Sequence, residues 1–248
     1  MTALPPTVAP PSSIEGSKTV LPLLETLITA YEAQNPDTTF FLQESSSLAG
    51  YQRIQSDQID MALVSWLPLE PSASLQVTPI ARDAIAIVLN QESLSEGLSL
   101  LELRDIFAGT LLNWSEVGST SNPIQVVSRE RSSGTRLAFE SIVMEDQSVT
   151  STAIVLPNNQ AVVDFVAKTP NSIGYVSFTF AKNDEIQTVP IEGLLPTLDT
   201  VTSGSYPLIR ELFVVTTSQP HSEIDEFITF IVSPTGQSIV AEKWGPIN

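Results

Sequence analysis

The sequence predicts an α/β fold with a largely parallel sheet, and three observations lead there. Strand-like and helix-like periodicities alternate along most of the chain, the order produced by repeated strand, helix, strand units. Several strand-like segments are nearly continuous apolar runs, as expected of buried strands. The chain has 248 residues, 42% hydrophobic and 16% charged, enough apolar material for two compact lobes or one large domain, each with a core. That composition excludes disorder for most of its length.

Taken in order, residues 1–13 (MTALPPTVAPPSS) hold four prolines within eleven residues and read as an extended spacer. Val20, Leu23, Leu24, Leu27, Ile28 and Tyr31 then repeat at helical spacing, so a helix opens at GSKT and stops before Asn35-Pro36. TTFFLQ is a short strand, SSSLAGYQRIQSDQ a loop running into a helix, and IDMALVS a buried strand. DAIAIVLN (83–90) is an apolar strand, LLELRDIFAG a helix and LNWSEVGSTSNP a run of turns. IQVVS is a strand that enters the motif SRERSSGTRLAFE, and TRLAFESIV leaves it as a helix. NNQAVVDFVAKTP is a helix, SIGYVS a strand and PLIRELFVVT (207–216) a long strand. EIDEFITFIVSPTGQSIVAEKWG holds two helical segments split at Ser233-Pro234. No internal repeat of solenoid length is present.

Charge narrows the function classes. Eleven Lys and Arg against 28 Asp and Glu give a formal charge of -17. No basic stripe interleaved with aromatics exists to neutralise phosphates of nucleic acid or an anionic membrane surface. With no cysteine there is neither a disulfide nor a thiolate site, and the single histidine, His221, rules out a His-dependent triad or a multi-His metal centre. No metal and no cofactor is expected; His221 reads as a surface residue near a helix start. No apolar stretch reaches membrane-spanning length, and the N-terminus has neither the basic start nor the apolar run of a signal peptide. The spacer fits a tether from which a secretion signal or lipid anchor has been removed, although an unstructured chain end has the same composition.

Against that acidic background, Arg129, Arg131 and Arg136 fall within eight residues around Ser-Ser-Gly-Thr. Three places share one pattern, small hydroxyl residues and glycine ahead of an amphipathic helix: Gly16 to Val20, Ser45 to Gly50, and Ser132 to Thr135. A helix start presents N–H groups without partners and partial positive charge, hydroxyls add neutral donors, and glycine lets the backbone come close. Each site read singly is also a plain Ser or Thr helix cap. Arg129, at the end of its strand, can point into the same space as the Ser133 helix start, with a planar fork suited to an oxyanion. Arg131 and Arg136 read as rim charges. Local donors of this kind bind an anion in an acidic protein because distant charge is screened beyond about 8 Å at physiological ionic strength.

These residues carry a resemblance. GSKTVLPLLETL, SSSLAG, DIFAGTLLNWSEVG, VVSRERSSGTRLAFE, SIGYVS, YPLIRELFVV and FITFIVSPTGQ together resemble the phosphate-binding proteins that serve bacterial ABC transporters, from about residue 14 to 248. NW-x-x-x-G combined with R-x-x-x-S-G-T is the specific part. The resemblance implies a two-lobed type II periplasmic-binding-protein fold, with a ligand cleft between lobes joined by two crossing strands, here DAIAIVLN and PLIRELFVV. Lobe one would be 14–84 and 210–248, lobe two 85–209. It implies that Thr19, the backbone of Val20 and Ser47 contact the anion from lobe one, and that Arg129, Ser133, Gly134 and Thr135 close on it from lobe two. Lys18, Ser65 and Trp66 are further possible cleft residues.

Some members carry, directly after the serine corresponding to Ser65, an Asp that accepts the proton of hydrogen phosphate. Trp66 stands there in this chain, as wall packing or ligand contact, while nearby Asp60 reads as structural. Leu48 replaces a common glycine. The expected function is a non-enzymatic, monomeric solute-binding protein that captures inorganic phosphate for an ABC-transporter permease, in the periplasm or outside the cell. Alternatives are a receptor for sulfate or another tetrahedral oxyanion, an enzyme acting on a phosphorylated substrate, and an anion-sensing or adhesive surface protein without a transporter.

Overall fold

The computed structural model describes residues 11–90, 97–182 and 184–247. Its strands are β1 (Ser12–Ser17), β2 (Phe40–Ser45), β3 (Met61–Val64), β4 (Leu75–Asn90), β5 (Gln125–Arg129), β6 (Ile154–Leu156), β7 (Ser172–Ser177), β8 (Ile186–Thr188) and β9 (Ile209–Thr217). The helices are α1 (Leu21–Glu32), α2 (Ser47–Gln55), α3 (Leu100–Ala108), α4 (Gly134–Phe139), α5 (Asn159–Lys168), α6 (Leu198–Thr202), α7 (Ser222–Val232) and α8 (Pro234–Val240). The strands join in the order β2-β1-β3-β9-β4-β7-β5-β6, with β8 beside β4.

The expectation of a largely parallel sheet is corrected to a mixed one. β1 pairs parallel with β2 and β3, and β5 pairs parallel with β6 and β7. Between these flanks β4 and β9 run antiparallel to each other and to their neighbours. The reason is that β4 is sixteen residues long and serves both flanks. Its segment from Leu75 to Ala84 pairs with β9, and its segment from Ile85 to Leu89 pairs with β7. The sequence showed only the apolar second part, because Gln76, Thr78 and Pro79 interrupt the first, where the register shifts between Pro79 and Ala81.

One continuous hydrophobic core underlies both flanks. On one, Leu23, Leu24 and Leu27 of α1 are fully buried, and Tyr31 packs on Phe227 of α7 at 5.1 Å between ring centroids. On the other, Tyr175 of β7 stacks on Phe139 of α4 at 4.2 Å and 9°. Each fully buried large apolar side chain contributes about 1.5–3 kcal/mol.

The spacer assignment is partly corrected. Residues 1–10 lie outside the described residues, while Ser12 and Ser13 already belong to β1. β1 went unrecognised because SSIEGS has no apolar run; its buried Glu15 is paired with Arg53 instead. Gly16 has φ 148°, and a Cβ there would sit 2.2 Å from the Leu63 carbonyl oxygen, so β1 and β3 approach closely only with glycine. Asp60 is structural, as expected: its Oδ2 accepts from both the N–H and the hydroxyl of Ser13 at 2.7 Å.

Candidate functional site

The carboxyl ends of β1, β2, β3 and β5 meet at one place, the position where open α/β sheets hold their ligands. β1 delivers Ser17 and the turn Lys18-Thr19-Val20 into α1. β2 delivers Ser45 to Ser47 into α2, β3 ends beside Ser65, and β5 ends on Arg129 before the loop into α4. Ser17, Lys18, Thr19, Ser45 to Ser47, Arg129, Glu130, Ser133 and Gly134 line a cleft with about 180 Å³ of free space, its mouth included.

Four hydroxyls at this cleft each accept from an N–H. Ser17 Oγ accepts the Thr19 N–H at 3.2 Å and Ser47 Oγ accepts the Ser65 N–H at 3.0 Å. Thr19 Oγ1 accepts from Asn159 Nδ2 at 3.1 Å, and Ser133 Oγ accepts the Arg136 N–H at 3.3 Å. An oxygen that is already accepting from an N–H has its own proton left to give. Between them the hydroxyls touch: Ser17 with Ser65, Ser47 with Ser65, and Thr19 with Thr135, each at 3.2 Å. Gly134 lies against this cluster, where a Cβ would stand 2.1 Å from Ser47 Oγ and 2.4 Å from Ser65 Oγ. Its N–H and that of Thr135 belong to the first turn of α4, which leaves such groups without intrahelical partners.

Arg129 is the buried cation of the site, its side chain 3% exposed. Its Nε and Nη2 each donate to Glu130 at 3.0 Å, Nε also reaches the Leu156 carbonyl at 3.2 Å and Nη2 the Pro157 carbonyl at 3.3 Å. Nη1 donates to Asn159 Oδ1 at 3.3 Å, so of the five guanidinium N–H groups one on Nη1 has no bond among the described residues. Tyr175 holds the Arg129 backbone from below: its hydroxyl accepts the Arg129 N–H at 3.3 Å and contacts Ser128 Oγ at 2.8 Å. Burial pushes the Tyr175 phenol up to about 12, so it stays neutral at any working pH.

The structure thus brings Thr19, Ser47, Arg129, Ser133, Gly134 and Thr135 together, with Ser65 buried among them and Lys18 at the rim in an ion pair with Glu44 at 3.1 Å. The Val20 backbone contact is corrected, and of the two alternatives for Trp66 the structure shows packing. The Val20 N–H donates to the Ser17 carbonyl at 3.0 Å and its side chain is in the core, so it stands behind the cleft. Trp66 packs against the hydrophobic core and is absent from the cleft lining. Arg131 is exposed, while Arg136 is largely buried and donates to Glu140 and to the Arg129 carbonyl; neither lines the cleft. The capping reading holds in part, since Ser133 caps α4, but at α2 the cap is Ser46, which frees Ser47.

Sequence reasoning missed Ser17, Glu130 and Asn159. Glu130 was legible as an acid inside the Arg cluster, and Asn159 as the second residue of an Asn-Asn pair opening a helix. A larger cavity, about 1020 Å³ by the same measure, lies beside Asp60 and His221 and contains none of these donors. His221 itself is 78% exposed. Among the described residues no helix is long and apolar enough to cross a membrane, and no group of three or more metal-ligating side chains forms.

A profile of the PBP superfamily domain matches residues 3–235. The chain belongs to this superfamily. A putative phosphate ABC transporter substrate-binding protein from Clostridium perfringens, solved with bound phosphate, is 30% identical, with 96% of this chain and 100% of that chain covered and a TM-score of 0.90. An ABC-type phosphate transport receptor from Vibrio cholerae is 29% identical over 94% of this chain and 99% of its own, at a TM-score of 0.82. The phosphate-binding protein PstS of Borreliella burgdorferi is 28% identical over 93% of this chain and 88% of its own length. The fold is therefore the type II periplasmic-binding-protein fold, as the resemblance implied. All three relatives are named for binding or transport and none for an enzymatic reaction.

Proposed function

We propose that this protein captures inorganic phosphate in the cleft between β1, β3 and α2 on one side and β5 and α4 on the other, and releases it to the permease of an ABC transporter. The observation that carries the reading is a set of hydroxyls, on Ser17, Thr19, Ser47 and Ser133, whose oxygens each accept an N–H and whose protons are therefore available to an anion beside Arg129. Such a site attracts an oxyanion with one formal charge and many neutral dipoles. Hydrogen bonds to a charged partner contribute about 1.5–3 kcal/mol each. The overall charge of -17 acts at longer range, where salt screens it.

The proposed division is lobe one at 14–84 and 210–248 and lobe two at 85–209, with β4 and β9 as the crossing strands. Thr19 and Ser47 then face Arg129, Ser133, Gly134 and Thr135 across the cleft. The two walls already touch through Thr19 and Thr135, so the anion enters as the lobes part and, once they close on it, its bonds take the place of the Thr19 to Thr135 and Ser47 to Ser65 contacts. Phosphate is favoured over sulfate because Glu130, a carboxylate on the cleft wall, has lone pairs to accept a proton that hydrogen phosphate carries and sulfate lacks. The protein works as a monomer, in the periplasm or at the outer face of the cell, tethered through its N-terminus.

Equilibrium dialysis of the anion-stripped protein against labelled phosphate, with sulfate and phosphate monoesters as competitors, tests this. One phosphate per chain, resistant to excess sulfate and to esters, is expected. Displacement by sulfate would make the protein a general oxyanion receptor, and turnover of the esters would make it an enzyme.

A further inference from the structure

Asn159, at the first position of α5, is 1% exposed and lies behind the cleft wall, where nothing in the capture reading gives it a task. Its two amide edges face opposite demands. Oδ1 accepts from Arg129 Nη1 at 3.3 Å and from the Ser177 N–H at 3.3 Å, and both of these groups can only donate. The amide therefore has one allowed orientation, since the flipped one would set its NH₂ against two N–H groups. In that orientation Nδ2 donates to Thr19 Oγ1 at 3.1 Å. Once Thr19 accepts there, its hydroxyl proton cannot point at Asn159 and is left for another partner in the cleft, where Thr135 Oγ1 sits at 3.2 Å.

We propose that Asn159 is a positioning residue that fixes Thr19 as a hydrogen-bond donor toward the bound anion. The argument rests on the phosphate-capture reading and deepens it. A free threonine hydroxyl rotates, and an oxyanion entering the cleft has to reorient it; here two obligatory donors, passed through one amide, do so beforehand. The chain of bonds continues outward. The hydroxyl of Ser177 donates to Asp83 Oδ1 at 2.8 Å, and Asp83 Oδ2 accepts from Arg210 Nε and Nη2 at 2.9 and 2.7 Å. Asn159 is thereby anchored to β4 and β9 through the β7 backbone and cannot swing away when the anion arrives.

Asn159→Asp isolates the donor edge. The carboxylate keeps the contacts to Arg129 and Ser177 but accepts from Thr19, so that Thr19 turns a lone pair toward the ligand. The site then favours phosphate carrying more protons. Phosphate affinity is measured by titration calorimetry at about pH 6 and about pH 8.5, between which phosphate passes from mainly monoanion to mainly dianion. The proteins are the parent, Asn159→Asp, Thr19→Val and the double variant.

The added negative charge favours the monoanion in either background. With Thr19 present, the reversed hydroxyl adds to it, and the shift of affinity toward acid is expected to be at least about fivefold larger than in the Thr19→Val background. Equal shifts in both backgrounds would overturn the role of Asn159. Thr19→Val by itself is expected to weaken phosphate about tenfold. If neither it nor Arg129→Ala weakens binding, the capture reading falls and this inference with it. Should Asn159→Asp not fold, Asn159→Leu serves: its phosphate loss is expected to be smaller in the Thr19→Val background than in the parent, and equal losses would contradict the proposal.

Discussion

Two buried arginines sit at strand positions about as far apart in role as the fold permits. Arg210 of β9 is 4% exposed and stands opposite Asp83 of β4, which is fully buried, so both charges are sealed from water. Its Nε and Nη2 converge on one carboxylate oxygen, and its Nη1 has no hydrogen bond among the described residues. Arg129 is as deeply buried, but its acidic partner Glu130 is 30% exposed and its remaining partners are neutral. A sealed pair fixes two backbones where β4 turns from β9 to β7. A pair with one wet partner keeps its guanidinium in place while leaving the counter-charge solvated and a donor available for an incoming anion.

If that contrast is right, substitutions at the two arginines separate cleanly. Arg210→Ala leaves Asp83 buried without a counter-charge and is expected to lower unfolding free energy by about 3–5 kcal/mol, read from urea denaturation. The double change Asp83→Asn with Arg210→Met should recover most of it, since no bare charge remains. Gly134→Ala comes next: a methyl 2.1 Å from Ser47 Oγ obstructs the closed cleft, and phosphate affinity is expected to fall about a hundredfold, or about 2.7 kcal/mol.

Arg129→Ala is expected to weaken phosphate at least about tenfold, about 1.4 kcal/mol, with a stability loss smaller than that of Arg210→Ala because Glu130, its one charged partner, returns to water. A stability loss as large as that of Arg210→Ala would erase the distinction between the two sites. Tyr175 gives the smallest effect. Its phenol is pushed up to about 12, chiefly by burial, so the folded state holds its proton more tightly than the unfolded chain does. That contribution to stability is complete below the ordinary tyrosine value of about 10 and is lost as pH rises through about 12. In a tyrosinate absorbance titration Tyr175→Phe should therefore remove no signal below about pH 11.

The sequence carried the cleft further than it carried the sheet. Helical spacing and Ser-rich helix starts marked α1, α2 and α4, and the hydroxyls at those starts do meet around Arg129. These features are local, so a linear reading reaches them. The mixed sheet is not local, because its direction is set by which strands β4 and β9 join at distant positions. β1 was hidden by its polar side chains, and the first part of β4 by Pro79 and its irregular register. At the site, Trp66 directly after Ser65 left wall packing and ligand contact both open, and what separates them, its packing on the core, depends on neighbours from elsewhere in the chain. Asn159 was unreadable for a different reason. Its value lies in which groups face its two edges, and Thr19, Arg129 and Ser177 come from three separate elements.

The measurement closest to the central claim is calorimetric titration of the anion-stripped protein with phosphate at low and at high ionic strength. Saturable binding of one phosphate per chain, with an affinity that changes little between the two, is the result expected of buried, pre-oriented donors that salt does not screen. No saturable heat at either ionic strength, or an affinity that collapses at high salt, would contradict the account, because the anion would then be held by exposed charge or not at all.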